Sequence, residues 1–452
     1  MENKIKWGCV EPLTGGMLLG AEKAIGYKPE WVVSFKDFAG WQKDKEGNII
    51  GAGNEQDIIE YLKKKNDMPD WFLIDHDPFV DDTNFTPDFI KPEGYDVSDK
   101  DAPDYSDMDL VVAVPFCSGL SMSSTADAAH KAMRNCNMQW VANYVIKTIH
   151  PKIYLFENAP TLMSARGSEM RMAFERLAES EGYSVIYYKT DTKYHHNCQK
   201  RPRTFILFIQ NRNGKHFIPE MKWERDNISI EQFLNELASD PLLQKDDPMN
   251  VTLNTGDKDG DVTVAIPIRY NEYVFGPNWR EEKRCRGDIF QWVADNKEGH
   301  EHDDFLKWAK DNISEKAYKW YERYFKHIKE KAAMGLGYWA VTAKYFDDCL
   351  PACMYKNVPV TVHPKENRLL TMREWFYAMG HPADMNMIGT PWNYFRQMGQ
   401  NVPVKTAKWM VSEAVRIIKN WDILPSMEDT DLFKNAGKGV AFFDNTKQKR
   451  VW

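Results

Sequence analysis

An uninterrupted apolar run, Leu110-Val111-Val112-Ala113-Val114, stops at Pro115-Phe116-Cys117. A run that ends at such a turn reads as a buried strand delivering a thiol to the edge of a sheet. In an open α/β sheet ligands sit beyond the carboxyl ends of the strands, so Cys117 is a candidate nucleophile. Packing is the alternative role, the common one for a lone cysteine. Further apolar strands are expected at Trp31–Phe35, Ile153–Phe156, Ser184–Tyr188 and Thr204–Ile209. Helical spacing over Gly15–Ile25, Ala126–His150 and Met170–Glu181 separates them. Such alternation predicts an α/β fold whose largely parallel sheet is covered by helices on both faces.

The chain has 452 residues, enough for two domains. Residues 1–211 carry the alternating pattern. Residues 212–362 are polar, aromatic and loosely patterned, with basic residues from Arg280 to Arg286 and a charged helix over Asp303–Ala332. They read as a second, smaller domain. Amphipathic helices at Thr371–Met379 and Pro403–Asn420 return the segment 363–452 to the first domain, with 421–452 as a docked tail. No stretch is apolar enough to span a bilayer, and Met1-Glu2-Asn3-Lys4 opens no signal segment. Seven cysteines, an odd number, point to free thiols in a reducing, cytoplasmic compartment. Cys349 and Cys353 read as helix-facing thiols rather than a metal site, because no second pair or histidine cluster joins them.

The net charge of −7 hides an asymmetry. Residues 67–109 hold 14 acidic residues against two lysines, a net of −12, which leaves the rest of the chain at +5. Asp81-Asp82-Thr83-Asn84 and Asp96–Asp109 within that segment are expected to form an exposed, solvated loop.

Two more clusters carry chemistry. Glu157 and Asn158 follow the strand Ile153–Phe156, which puts a carboxyl at another sheet edge. Beside an apolar wall its pKa would rise and it could donate a proton; a helix cap or a solvated acid is the other reading. Gln199-Lys200-Arg201-Pro202-Arg203 opens the next strand, where alternation sends Gln199, Arg201 and Arg203 to one face. Two guanidiniums there suit a phosphate or a base carbonyl, or else form a plain basic edge.

In this order the pieces resemble the C5-cytosine methyltransferase family. Arg368-Leu369-Leu370-Thr371-Met372-Arg373-Glu374 with Met379-Gly380-His381-Pro382 is similar to the helix that follows the family's target-recognition domain. Gln397-Met398-Gly399-Gln400-Asn401-Val402-Pro403-Val404 looks like its last motif, and Gly15-Gly16-Met17-Leu18 resembles its cofactor-binding glycine turn. The resemblance, over about residues 9–420, implies a Rossmann-like, S-adenosylmethionine-dependent sheet with 212–362 as the target-recognition domain. By it, Cys117 adds to C6 of a flipped-out cytosine, and Glu157 protonates or hydrogen-bonds N3. Asn158 helps hold that carboxyl. Arg203, supported by Arg201 and Gln199, binds the base carbonyl and neighbouring phosphate, and Ser118 and Ser121 join the substrate contacts. Gly15, Gly16, Leu18, Ser34, Phe35, Lys36, Asp37, Pro115, Gln400, Asn401 and Val402 fall to the cofactor. No metal is implied. The partner is double-stranded DNA, and a monomeric enzyme of bacterial or phage type is expected.

The departures gather on the cofactor side. The family's Asp-Leu-Phe-x-Gly is Cys9-Val10-Glu11-Pro12-Leu13 here, without the aromatic residue or the first glycine. The strand that ordinarily ends in a ribose-binding carboxylate ends Val33-Ser34-Phe35-Lys36, with Asp37 slightly displaced. Pro-Pro-Cys-Gln is Pro115-Phe116-Cys117-Ser118, and Gln400-Asn401 replaces an asparagine followed by a small residue. Two donors therefore stay open. One is S-adenosylmethionine, held by substitutes such as Asp37. The other is a carboxylated S-adenosylmethionine drawn to a pocket made less negative by Lys36, which would yield 5-carboxymethylcytosine. A non-catalytic DNA-binding homologue and an RNA cytosine methyltransferase are the rival readings.

Overall fold

The computed structural model describes residues 4–40, 53–76, 87–117, 128–223, 225–238, 247–251, 300–313, 349–353, 369–389, 397–427 and 439–447, with isolated residues between them. Of Asp37 and of 128–134 only the backbone is described. One ten-stranded sheet organises the chain. Its strands are β1 (Trp7–Val10), β2 (Trp31–Phe35), β3 (Asp70–Ile74), β4 (Phe89–Ile90) and β5 (Leu110–Ala113), then β6 (Ile153–Asn158), β7 (Tyr183–Asp191), β8 (Pro202–Gln210), β9 (Val440–Asp444) and β10 (Lys449–Arg450). They lie in the order β10-β9-β7-β8-β6-β5-β1-β2-β3-β4. The run β3-β2-β1-β5-β6 is parallel throughout.

Strands buried on both faces need no alternation, and every residue of β1, β2 and β5 is buried. One face packs against α1 (Gly16–Ile25), α2 (Gln56–Lys65), α5 (Met372–Ala378) and α6 (Val404–Lys419). The other packs against α3 (Ala128–Tyr144) and α4 (Ser168–Glu181). Helix α5 starts where Thr371 and Glu374 cap each other's backbone N–H groups, the reciprocal pair that satisfies a helix N-terminus. Helices α1 and α6 cross closely. A Cβ on Gly20 would lie 2.4 Å from the Ala407 Cβ and 2.8 Å from the Val404 carbonyl oxygen, so only glycine permits the crossing.

The fold differs from the sequence expectations in identifiable places. β8 runs antiparallel to both β6 and β7. The ten residues between β7 and β8 are too few for a parallel crossover, which needs about a dozen or more. β6 extends two residues beyond Phe156, so Glu157 and Asn158 lie in the strand rather than after it. The acidic segment contains β3, whose Trp71–Ile74 are buried. Along 96–109 it follows the sheet edge, largely exposed but pinned by buried Ser98 and Met108 and by Tyr105, which meets the Trp31 ring edge-on at 5.3 Å. Residues 81–84 lie outside the described residues. The tail contributes β9, which pairs in parallel with β7, rather than merely docking. Cys349 and Cys353 flank a short strand, Leu350–Pro351, not a helix face. Phe217, Ile218, Met221, Ile230, Phe233 and Met249 belong to the same core as α1 and α6, so the chain just after residue 212 is continuous with the first unit. Most of 252–299 lies outside the described residues.

Candidate active site

Two turns meet at the carboxyl ends of the central strands. After β5 the chain passes through buried Pro115 to Phe116 and half-buried Cys117. The Phe116 N–H donates to Asn137 Oδ1 at 2.8 Å, which anchors the turn to α3. Glu157, only 2% exposed, stands on neighbouring β6 and is paired by the Arg203 Nε from β8. The antiparallel register makes this possible: Glu157 faces Phe205, and Arg203 is the diagonal neighbour on the same side. Burial pushes the Glu157 carboxyl above its ordinary range, with Arg203 and Arg201 opposing. Burial, then Glu157, pushes up the Cys117 thiol, again against Arg203 and Arg201. The four residues expected to act on the base thus share one electrostatic neighbourhood. A carboxyl that keeps its proton can give it to a ring nitrogen, and a thiol beside two guanidiniums can be drawn to thiolate as a substrate arrives.

The supporting residues divide differently than expected. Arg201 is 1% exposed, and its guanidinium is spent on main chain. It donates at 2.8 Å to the carbonyls of Cys353, Gly399 and Asn401. Gln199, fully buried, accepts from the Cys353 N–H at 2.9 Å and donates to the Met379 sulfur. Arg201 clamps the start of β8 to the last motif, Gln199 ties the same segment to Cys353 and Met379, and neither makes its hydrogen bonds to the Cys117 turn. Asn158 does not hold the Glu157 carboxyl. Its Oδ1 accepts from the Ala159 N–H at 2.9 Å and its Nδ2 meets the Met138 sulfur. Ser118 and Ser121 lie outside the described residues.

The glycine turn and the last motif come together. Asn401 Oδ1 accepts from the N–H of Gly16 at 3.0 Å and of Val402 at 2.9 Å. A Cβ on Gly16 would lie 1.9 Å from the Val402 carbonyl oxygen, and Gly15 takes a φ of +87°. Leu18 is buried in α1, while Gln400 is half-buried with its Oε1 atom lacking a hydrogen bond. Phe35 packs against Phe38 and Trp140 at ring distances of 5.6 and 5.2 Å.

The lysine expected to make this pocket less negative is engaged elsewhere. Lys36 is tied to Asp75 at 2.8 Å, and the Asp37 side chain lies outside the described residues. Two fully buried carboxyls take their place. Glu55, just before α2, accepts a hydrogen bond from the Ser34 hydroxyl. Glu11, the first residue beyond β1, accepts from Asn137 Nδ2 at 2.9 Å. One oxygen of each, Glu55 Oε1 and Glu11 Oε2, is buried without a hydrogen bond. Burial lifts Glu55 well above the usual carboxylate range and Glu11 to about 8. The missed pair had only a faint sequence signal. Glu11 showed as a mismatch in the glycine turn, whereas Glu55 lies 20 residues from the strand end it serves. Two bare carboxyl oxygens fit a cationic group or a diol, which are what S-adenosylmethionine presents.

The α/β sheet and this site define a methyltransferase-type enzyme. Residues 82–416 match the family C-5 cytosine-specific DNA methylase, and the chain belongs to that family. The matched range begins after the glycine turn and β2. No curated protein sequence matches the chain. Among solved structures, the chain is similar to a protein described as a DNA modification methyltransferase encoded within an Escherichia coli prophage, at 17% identity over 92% of this chain and 99% of that one, TM-score 0.44. It is similar at 9% identity to the Entamoeba histolytica methyltransferase EhMeth, over 94% and 100%, TM-score 0.44. A mutant of Spodoptera frugiperda DNMT2 matches at 12% identity over 92% and 99%, TM-score 0.44.

Proposed function

We propose that this enzyme alkylates C5 of a flipped-out cytosine in double-stranded DNA through a covalent bond from Cys117 Sγ to C6. The observation that carries this reading is the half-buried Cys117 thiol beside the buried Glu157–Arg203 pair. When the Sγ–C6 bond forms, the electron pair displaced from the C5–C6 double bond moves toward N3, where the Glu157 proton receives it. C5 is then nucleophilic and takes the alkyl group, for which S-adenosylmethionine supplies an electrophilic methyl. Loss of the C5 proton to a base expels Cys117 as thiolate and restores the C5–C6 double bond, while N3 returns its proton to Glu157. Arg203 holds Glu157 and faces the base carbonyl. Arg201 and Gln199 are positioning residues: Arg201 fixes the start of β8 against the last motif, and Gln199 ties the same segment to Cys353 and Met379. Gly15, Gly16, Ser34, Glu55 and Asn401 form the donor cradle, and the part of 212–362 beyond the core segment that ends at Met249 reads the duplex.

Plain S-adenosylmethionine is the donor that the pocket favours. The Lys36 ammonium that would draw a carboxylated donor is held by Asp75. The covalent step is tested with duplex DNA carrying 5-fluorocytosine, whose C5 fluorine cannot leave as a proton. A denaturation-resistant protein–DNA adduct is expected with S-adenosylmethionine present, and none from Cys117→Ser. An adduct that survives in Cys117→Ser would overturn the assignment of the nucleophile.

A further inference from the structure

Glu11 stands where the sheet reverses its winding. β1 has β2 on one side and β5 on the other, and the crevice beyond the carboxyl ends at such a reversal is where an open α/β sheet holds its ligand. Glu11 takes a φ of +49°, and its N–H donates to the Val33 carbonyl oxygen at 2.9 Å, which pins the turn to β2. Its side chain reaches the other way. Oε1 accepts from Asn137 Nδ2 at 2.9 Å, and Asn137 Oδ1 accepts from the Phe116 N–H at 2.8 Å. Phe116 is the residue before Cys117. A two-bond bridge therefore joins the donor turn to the nucleophile turn. The second oxygen, Oε2, is buried with no hydrogen bond. Leaving it bare is costly in a folded protein unless something else meets it.

We propose that Glu11 is a positioning residue: Oε2 faces the positively charged sulfonium end of the alkyl donor, while Oε1 sets the Cys117 turn through Asn137. Donor occupancy is thereby transmitted to the nucleophile. The inference rests on the donor being a sulfonium, as in the reading above. Glu11 is buried to 0% exposure, and its titratable neighbours are Cys9, Glu55 and Tyr154. None of them is a cation, so in the free enzyme the carboxyl keeps its proton up to about 8. A sulfonium against Oε2 favours the ionised form. The charged oxygen pair then accepts more strongly from Asn137. Alkyl transfer leaves a neutral thioether, the attraction is lost, and the product is held less tightly than the donor.

The test is calorimetry of S-adenosylmethionine and of its thioether product, S-adenosylhomocysteine, on wild type and Glu11→Gln. Glutamine keeps an acceptor for Asn137 and removes the charge. Wild type is expected to prefer the donor by about tenfold, the equivalent of one charge contact, and Glu11→Gln to prefer neither. At pH 7, titrations in buffers of different ionisation enthalpy should show proton release on donor binding by wild type only. The bridge is read separately from the rate at which iodoacetamide labels Cys117. Donor should change that rate several-fold in wild type and leave it unchanged in Asn137→Leu, which tests the relay even if Glu11→Gln folds poorly. Wild type that binds no sulfonium donor overturns both the function and the relay. Donor preference that persists in Glu11→Gln, or donor-sensitive labelling that persists in Asn137→Leu, overturns the relay alone.

Discussion

At the scale of single residues, the chemistry depends on two groups whose protons are held unusually tightly. Cys117 is kept above the ordinary thiol range by burial and Glu157, so adduct formation on the 5-fluorocytosine duplex should accelerate as pH rises. It should slow again once the pH has passed both groups, because Glu157, also raised by burial, then lacks the proton that N3 needs. A bell-shaped profile is expected. Arg203 lowers the pKa of both Glu157 and Cys117, so Arg203→Gln should move the whole profile to higher pH. A profile that stays in place would contradict that electrostatic coupling. Glu157→Gln should reduce the methylation rate by about 10²–10⁴-fold, the usual worth of a positioned proton donor, while donor binding measured by calorimetry stays intact.

At the scale of elements, Arg201 joins the start of a strand to two distant segments. Its guanidinium bonds three carbonyls, on Cys353, Gly399 and Asn401, and removing it leaves buried acceptors without donors. Arg201→Met should destabilise the fold by about 3 kcal/mol, read from the denaturant midpoint, and weaken donor binding through the last motif. An unchanged midpoint would show that those bonds carry no net stability. The elements themselves were largely legible: buried parallel strands are continuous apolar runs, and Trp31–Phe35 and Val404–Lys419 stand in the structure close to where periodicity put them. The Cys117 turn was legible for the same reason, because a proline after such a run marks a strand end. Roles within the Gln-x-Arg-x-Arg segment were not. Alternation fixes which side a residue faces, but not that Cys353 and Asn401 fold over that side and occupy Arg201. Glu55 was hidden because its place at the end of β2 is set by its contacts with the Ser34 hydroxyl and the Phe38 carbonyl, which no local pattern encodes.

At the scale of the whole molecule, the buried ionisable groups set how stability responds to pH. Glu11 and Asp57 keep their protons up to about 8 and about 7 because burial disfavours their charge. In the unfolded chain such carboxyls titrate near pH 4. The folded state binds more protons in between, so this contribution is full below about 4 and is lost as pH rises to about 8. His195 and His381, pushed down to about 3 by burial, act in the opposite sense, costing stability as pH falls below about 6.5. The two slopes offset each other below that value, and above it only the carboxyls act. The melting temperature should therefore fall between about pH 6.5 and 8, and Glu11→Gln should flatten the fall; a rise over that interval would contradict the burial of these acids. No helix among the described residues is long and apolar enough to cross a membrane. The central claim is alkyl transfer to cytosine C5 in duplex DNA, and mass spectrometry of nucleosides from duplex DNA incubated with the purified enzyme measures it most directly. S-adenosylmethionine and its carboxylated form would be supplied in parallel. A methyl increment on deoxycytidine with the plain donor, absent with Cys117→Ser, is the expected result. A carboxymethyl increment with the carboxylated donor alone would contradict the donor assignment, and no increment from either donor would contradict the claim itself.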